Sequence, residues 1–346
     1  MIKNILPADG EEISVRGYGA KLFFDAYERY KDTPHFGHPA WTYWPDERHL
    51  SYPCPCTLTV MTDFDTYKKE LTFHLARRGD FSKEITRKAV NVPGVVIYNL
   101  MIGESYSWYA ECGDEKSEIT SFTTRDEYPR QIYIGMKSSN IRDVGGVYNI
   151  DGKRVKQGLL YRGGCIDAGG DHVSSDEGAR MFVEDLGIKS DVDLRFLDYA
   201  EREKWPERHP LIEEKVKIYR LADESYGSID ESPDSVHAKM LRILSDEKNL
   251  PAYFHCYSGM DRTGSAAFIF GLLLRIDLET LYIDYELSSL DEWGSRAREC
   301  LSEERTEQLR VFGDEGDDIY TCAEKLFVEK YGMAEELARF RKIFLD

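Results

Sequence analysis

Cys256 and Arg262 are the residues in this sequence whose types and spacing best suit covalent chemistry. They lie in His255-Cys-Tyr-Ser-Gly-Met-Asp-Arg-Thr-Gly264, between an apolar run ending at His255 and a helix-like run from Ser265 to Leu274. Read as strand, loop and helix, this puts a thiol at the mouth of a ring of backbone N–H groups. It also puts a fixed positive charge across the ring. Cysteine is nucleophilic as the thiolate, and a helix N-terminus favours that form. The same N–H groups bind phosphoryl oxygens. The expected cradle is Tyr257, Ser258, Gly259, Met260, Asp261 and Arg262, with Gly259 permitting close backbone approach. Arg262 can grip two phosphoryl oxygens and hold a trigonal-bipyramidal transition state. Thr263 can donate its hydroxyl to the sulfur. His255 is expected to orient the cysteine backbone rather than act as a base. The implied chemistry is phosphoryl transfer to Cys256 followed by hydrolysis, with no metal and no cofactor.

A buried, inert thiol is the commonest state of a free cysteine. None of the other six cysteines has an arginine six residues on, and none has this glycine and threonine context. Cys54 and Cys56 lack a second Cys/His pair at zinc spacing, so they read as strand or turn residues beside Pro53 and Pro55.

The elements that must position this loop follow two grammars. Before residue 125, short alternating segments recur: Thr57 to Phe64, Leu71 to Leu75, Val95 to Leu100, Ser105 to Cys112 and Ile119 to Thr124. They predict an antiparallel β-sandwich of fibronectin III or immunoglobulin type, residues 1–130. Lys21 to Tyr30 reads as either helix or strand. Arg125 to Arg130 reads as the linker. Beyond it, strands at 188–194, 215–221 and 251–256 alternate with helical patterns at 199–204, 236–245 and 262–275. This predicts an α/β domain, residues 131–346, around a mostly parallel sheet. Ile319 to Leu345 is helical in period, split by Gly332.

Composition narrows the partners. The 346 residues carry a formal net charge of −18; residues 1–130 hold 16 basic and 20 acidic side chains, the remainder 29 and 43. The half with the phosphate-binding loop is the more acidic half. Long-range attraction to nucleic acid or an anionic membrane is therefore disfavoured, and an anion must be captured by a local pocket. No membrane span or signal peptide is legible, and a cytoplasmic location is expected.

His-Cys-x5-Arg-Thr resembles the signature of the protein tyrosine phosphatase superfamily. Asn140-Ile-Arg-Asp-Val-Gly-Gly146, Leu160-Tyr-Arg-Gly163, Asp193-Leu-Arg195 with Glu201, and Asp284-Tyr-Glu-Leu-Ser288 are similar to segments of the bacterial tyrosine and dual-specificity phosphatases. That group also includes phosphoinositide phosphatases. The resemblance covers residues 131–346. Two positions depart from it. Met260 stands where lipid-active members often carry lysine, and Ser258 where alanine is usual.

The resemblance implies a general acid, because the leaving oxygen must be protonated. Asp261 is one candidate, as the loop aspartate is a family feature. Asp223 is the other; it lies 33 residues before Cys256, where related enzymes carry a mobile acid loop. Trp44-Pro-Asp46 matches the acid-loop tripeptide of larger tyrosine phosphatases but lies far upstream, and Trp205-Pro-Glu207 is also misplaced. Asp143 could buttress the loop or the substrate and pair with Arg142, or the two could form an ion pair fixing the Gly145-Gly146 turn. Arg195 is expected to pair with Glu201.

The expected function is a cysteine-dependent phosphatase acting on phosphotyrosine, with phosphoserine/threonine as further substrates, in a phosphorylated protein or peptide. A phosphoinositide or inositol-phosphate phosphatase is the alternative enzyme. An inactive phosphate-binding module is the non-enzymatic alternative, which the intact Cys256/Arg262 pair opposes. The N-terminal domain is expected to bind a partner or to self-associate.

Overall fold

Alternation of apolar and polar residues sets the strands of the N-terminal half. In the strand Ser105–Cys112, Tyr106, Trp108 and Ala110 are buried while their neighbours are more exposed, the period-2 pattern of a sheet with one covered face. The computed structural model describes residues 1–30, 48–66, 69–135, 139–167, 175–195, 208–291 and 296–346. It divides into two compact units, Met1–Arg16 with Pro53–Arg130, and Gly17–Tyr52 with Gln131–Asp346.

The described residues of the first unit form the strands β1 (Ile2–Leu6), β2 (Glu11–Ile13), β3 (Cys56–Thr62), β4 (Glu70–Arg77), β5 (Ile85–Val90), β6 (Gly94–Ile97), β7 (Ser105–Cys112), β8 (Glu115–Lys116) and β9 (Thr120–Thr124). One sheet runs β1-β3-β6 and the other β2-β9-β7-β4-β5, with β8 beside β7. Both contribute to one core, which includes Leu58, Val60, Phe73, Trp108 and Phe122. Pairing is antiparallel except for β2 with β9. Cys54 and Cys56 are free thiols, and burial pushes the Cys56 thiol up to about 12. Arg130, read from sequence as linker, is buried and donates to the carbonyls of Asn99 (2.7 Å) and Leu100 (3.2 Å).

The second unit is built on a five-stranded mixed sheet of order β10-β11-β14-β12-β13. Its strands are β10 (Arg142–Asp143), β11 (Leu160–Gly163), β12 (Ser190–Asp193), β13 (Lys217–Arg220) and β14 (Ala252–His255). Only β10 runs antiparallel to its neighbour. The central strand β14 feeds the helix Asp261–Leu273, which is buried from Arg262 to Leu273. Such an all-round apolar helix needs partners beyond the sheet; Leu278–Glu286 and Ile319–Lys325 supply them.

The domain boundary differs from the sequence expectation in one segment. Residues 17–52 belong to the second unit, not the first. The ambiguous stretch is the helix Tyr18–Tyr30, with Ala20, Phe23 and Tyr27 buried on one stripe. The Tyr27 hydroxyl donates to Glu279 in the second unit. The expected helical turn at 199–204 lies outside the described residues. The C-terminal pattern resolves into Ile319–Lys325, a continuing turn to Lys330, and Ala334–Phe344, with Gly332 at φ +68° between them. Among the described residues, no helix is long and apolar enough to cross a membrane.

Candidate active site

Cys256 follows directly on the end of β14, and Met260 is the N-cap residue of the helix Asp261–Leu273. The loop between is held by its carbonyls. Tyr257 O accepts from Cys165 N (2.8 Å), Ser258 O from Asn140 Nδ2 (3.1 Å), and Gly259 O from Asn140 Nδ2 (3.1 Å) and Arg162 Nη2 (2.6 Å). In a planar trans peptide, the next residue's N–H points opposite to the carbonyl. Anchoring these three carbonyls on one side therefore turns the N–H groups of Ser258, Gly259 and Met260 to the other. The helix N-terminus adds its positive dipole end. Gly259 has φ +70°, and a Cβ there would overlap the Gly163 carbonyl. Only glycine fits where the loop lies against β11.

A buried ionic group backs the loop. Arg162 is fully buried; besides Gly259 O, it donates to Asp284 Oδ2. Arg142 donates to Asp284 Oδ1 (2.7 Å), the Asp284 carbonyl, Asn140 and Ser288 Oγ (3.1 Å). Asp284 thus bridges two arginines. Adjacent residues of a strand point to opposite faces. Asp143, on the other face, accepts from Gly145 N (2.8 Å) and Gly158 N (2.6 Å). It fixes the turn and makes no contact with the loop among these bonds.

His255 anchors the other flank. Its Nδ1 lies 2.9 Å from the Cys256 carbonyl and its Nε2 3.1 Å from Asp191 Oδ1. Burial alone would lower its pKa, but the Asp191 and Asp193 carboxylates overcome this and raise it to about 9. The protonated ring then donates through Nδ1 to the Cys256 carbonyl and sets its charge against the Asp191 carboxylate. Asp191 in turn is held well below the usual carboxylate range by the charges of His255 and Arg208, against its burial. Arg195 pairs with Asp193 (2.6 Å) and Asp167 (2.8 Å), and Arg208 with Asp167 (2.7 Å) and Asp191. Among the described residues, three carboxylates here face two guanidinium groups and the His255 ring. Glu201, the expected partner of Arg195, lies outside the described residues, as do Trp44-Pro-Asp46 and Trp205-Pro-Glu207.

Arg262 donates to the Leu194 carbonyl (3.1 Å), and its Cζ lies 5.1 Å from the centre of the Tyr226 ring. Thr263 is fully buried, yet its hydroxyl makes no hydrogen bond among the described groups. The expected bond from Thr263 to the sulfur is therefore not made; the side chain packs at the start of the helix.

The two candidate acids have different surroundings. Asp223 is buried and accepts from Ser225 N (3.1 Å), Ser225 Oγ (2.6 Å) and Gly227 N (2.8 Å). Its oxygens are committed to their own loop. Asp261 begins the helix with about a quarter of its side chain exposed; Arg296 grips both oxygens (2.6 and 3.0 Å), and Tyr285 donates at 3.2 Å. Met260 is fully buried, so this position packs into the core. Ser258 is half-buried, and nothing in the structure explains its identity.

Asn140, Arg162, Asp284 and Ser288 belong to the segments singled out by motif, but their convergence behind Gly259 was not foreseen. Asp167, Asp191, Arg208, Tyr226 and Arg296 were missed outright. A buried charge in an alternating strand, such as Asp191 between Ser190 and Val192, was the one available signal. Among the described residues, no group of three or more His, Cys, Asp or Glu side chains could hold a metal ion.

A model described as the tyrosine phosphatase family matches residues 136–345. A Cupriavidus necator protein, provisionally named a tyrosine-protein phosphatase, is 28% identical over 173 residues; the match covers 42% of this chain and 59% of that one. The chain thus spans about three fifths of that relative's length. The core catalytic domain of the PP-IP phosphatase SIW14 from S. cerevisiae, solved with citrate, aligns at a TM-score of 0.31 and 18% identity, covering 44% of this chain and 84% of that one. Another Siw14 catalytic core aligns at 0.28 and 19%, covering 48% and 86%. The family match spans more than half of the 346 residues and includes the whole loop from Cys256 to Arg262: the chain belongs to the tyrosine phosphatase family.

Proposed function

We propose that this protein is a cysteine-dependent phosphatase that hydrolyses phosphate monoesters, phosphotyrosine first, through a phosphocysteine intermediate on Cys256. The observation that carries this reading is the anchoring of three successive loop carbonyls, which turns three N–H groups toward one side beside Cys256 and Arg262. In the first step the Cys256 thiolate attacks phosphorus, a P–S bond forms, and the P–O bond to the leaving group breaks. The leaving oxygen takes a proton from Asp261, the candidate acid at the partly exposed end of the loop. In the second step water attacks phosphorus and gives a proton to the same carboxylate. The P–S bond breaks and inorganic phosphate leaves. The loop N–H groups and Arg262 stabilise the equatorial oxygens in both transition states.

A protein phosphate fits better than an inositol phosphate because no cation stands at position 260, where a fully buried methionine packs instead. The N-terminal unit carries no group used in these steps. Its two sheets and shared core suit a sandwich of fibronectin III or immunoglobulin type, with partner binding or self-association as its role.

The test is turnover of para-nitrophenyl phosphate by the wild type and by Cys256→Ser. Wild-type turnover that Cys256→Ser abolishes is expected; activity surviving the substitution overturns the mechanism. Phosphotyrosine peptides, phosphoserine peptides and phosphoinositides compared on the wild type decide the substrate class, and lipid-only turnover overturns the proposed one.

A further inference from the structure

Asn140 anchors the phosphate-binding loop, and its own placement depends on a residue far upstream. Its Nδ2 donates to two successive loop carbonyls, Ser258 O and Gly259 O, both at 3.1 Å. Its Oδ1 accepts from Arg142 Nη1. A guanidinium only donates, so the amide is oriented with its NH2 group toward the loop. One NH2 group serving two carbonyls has little freedom, because hydrogen bonds weaken steeply with distance and angle.

The backbone beneath that amide is unusual. Asn140 is 2% exposed and has φ +61°, in the left-handed region. Asparagine tolerates that region better than most residues, but its surroundings must hold it there. Its buried N–H also needs an acceptor. Ser51 Oγ supplies one at 3.1 Å, from 89 positions away in the sequence.

Ser51 is held from its other side. It ends the short turn Arg48–Ser51 and is buried. Its carbonyl accepts from Gln131 Nε2 (2.8 Å), while Gln131 Oε1 accepts from Gly17 N (2.8 Å). Gly17 lies so close to the Tyr52 carbonyl that a Cβ would overlap it. One glutamine amide thus pins the entry and the exit of the segment Gly17–Tyr52, which belongs to the second unit. Gln131 also pairs with Arg142 in an antiparallel bridge, and Ile132 N donates to Ile141 O (2.9 Å). The backbone that fixes Ser51 is therefore the same pair of segments that carries Asn140. Ser51 itself lies outside the family match at residues 136–345.

We propose that Ser51 is a positioning residue for the phosphate-binding loop, acting through Asn140, and that the upstream segment thereby completes the site. This rests on the phosphatase reading above and deepens it. Without the hydroxyl, the Asn140 N–H is orphaned and the residue shifts to find another acceptor. Its NH2 group then releases the Ser258 and Gly259 carbonyls. The N–H groups of Gly259 and Met260, in the same two peptide planes, turn away from the phosphate.

A double-mutant cycle in the full chain tests this. Ser51→Ala removes the acceptor. Asn140→Gly removes the amide and keeps a residue at ease with positive φ. The four proteins are compared by isothermal titration with inorganic phosphate, by kcat and KM for para-nitrophenyl phosphate, and by urea midpoint. Ser51→Ala alone is expected to weaken phosphate binding about threefold to tenfold, the size of one hydrogen bond, with KM rising more than kcat falls. In the Asn140→Gly background the same substitution should change phosphate affinity less than about twofold, because the link it acts through is gone. Its effect on the urea midpoint should persist in both backgrounds, since the N–H is orphaned in both.

An equal phosphate loss in both backgrounds overturns the proposal. So does a lower urea midpoint with unchanged phosphate affinity, which would leave Ser51 a purely structural residue. If Ser51→Ala does not fold, Ser51→Cys replaces it, being near-isosteric with a weaker acceptor. Wild-type phosphate affinity in that variant also overturns the proposal. Wild-type turnover and its loss in Cys256→Ser decide the underlying reading separately.

Discussion

Arg296 holds Asp261 through both carboxylate oxygens, with Nε 2.6 Å from Oδ1 and Nη2 3.0 Å from Oδ2. The two lie 35 residues apart, and burial opposes the Arg296 charge while the Asp261 carboxylate raises its pKa. A bidentate fork of this kind fixes the direction of the carboxylate as well as its charge. To carry a proton to a leaving group, Asp261 must free an oxygen from this fork, whereas Asp223 must give up hydrogen bonds of its own turn.

This separates the two aspartates experimentally. Asp261→Asn is expected to cost about 100-fold in kcat on a phosphotyrosine peptide, in the range of lost general-acid catalysis. The cost on para-nitrophenyl phosphate should be smaller, because that leaving group needs little protonation. Asp223→Asn keeps one accepting oxygen but loses part of a three-bond turn, so it should lower stability by about 1–3 kcal/mol. Its effect on turnover should be similar for both substrates. The reverse pattern, with leaving-group dependence at Asp223 alone, would exchange the roles.

Arg162 is the link between β11 and the loop. Arg162→Met leaves the Gly259 carbonyl without this donor and removes one of the two arginines on Asp284. Breaking a buried ion pair by deleting one partner typically costs about 3–5 kcal/mol. We expect a loss of that size in urea unfolding, and a weaker inhibition constant for inorganic phosphate in whatever fraction remains folded. Unchanged stability would mean that Arg142 alone satisfies Asp284.

His255 gives a pH signature. Its native pKa of about 9 stands above the ordinary value of 6.5. The folded state holds the proton more tightly, so the stabilisation is complete below pH 6.5 and disappears as pH rises through about 9. The gap corresponds to at most about 3 kcal/mol. His237 acts on the acid side: burial lowers its pKa to about 4, so stability is lost as pH falls below 6.5 toward that value. Urea midpoints measured from pH 5 to 10 should peak near pH 6.5. His255→Asn should flatten the alkaline decline, and a wild-type midpoint level from pH 6.5 to 9.5 would contradict the protonated imidazole.

What the sequence determined by itself was local. Cys256 to Arg262 is a contiguous loop between an apolar strand and an apolar helix, and those periodicities are written in neighbouring residues. The two grammars before and after residue 130, and the mostly parallel sheet expected of the second half, follow from the same short-range patterns; the antiparallel β10 does not. What only the tertiary structure decided was which charge meets which. The Arg142–Asp284 and Arg162–Gly259 contacts join residues 142 and 97 positions apart. Nearness in sequence misleads here, because a strand sends Arg142 and Asp143 to opposite faces: Asp143 closes its own turn, and Arg142 meets Asp284 across the fold. The helix Tyr18–Tyr30 joins the second unit for the same reason: an amphipathic stripe records that it must be covered, but not by what. The left-handed backbone of Tyr226, φ +54°, was invisible for a related cause. Its turn is held by the Asp223 carboxylate and by Arg305, and no local propensity encodes it.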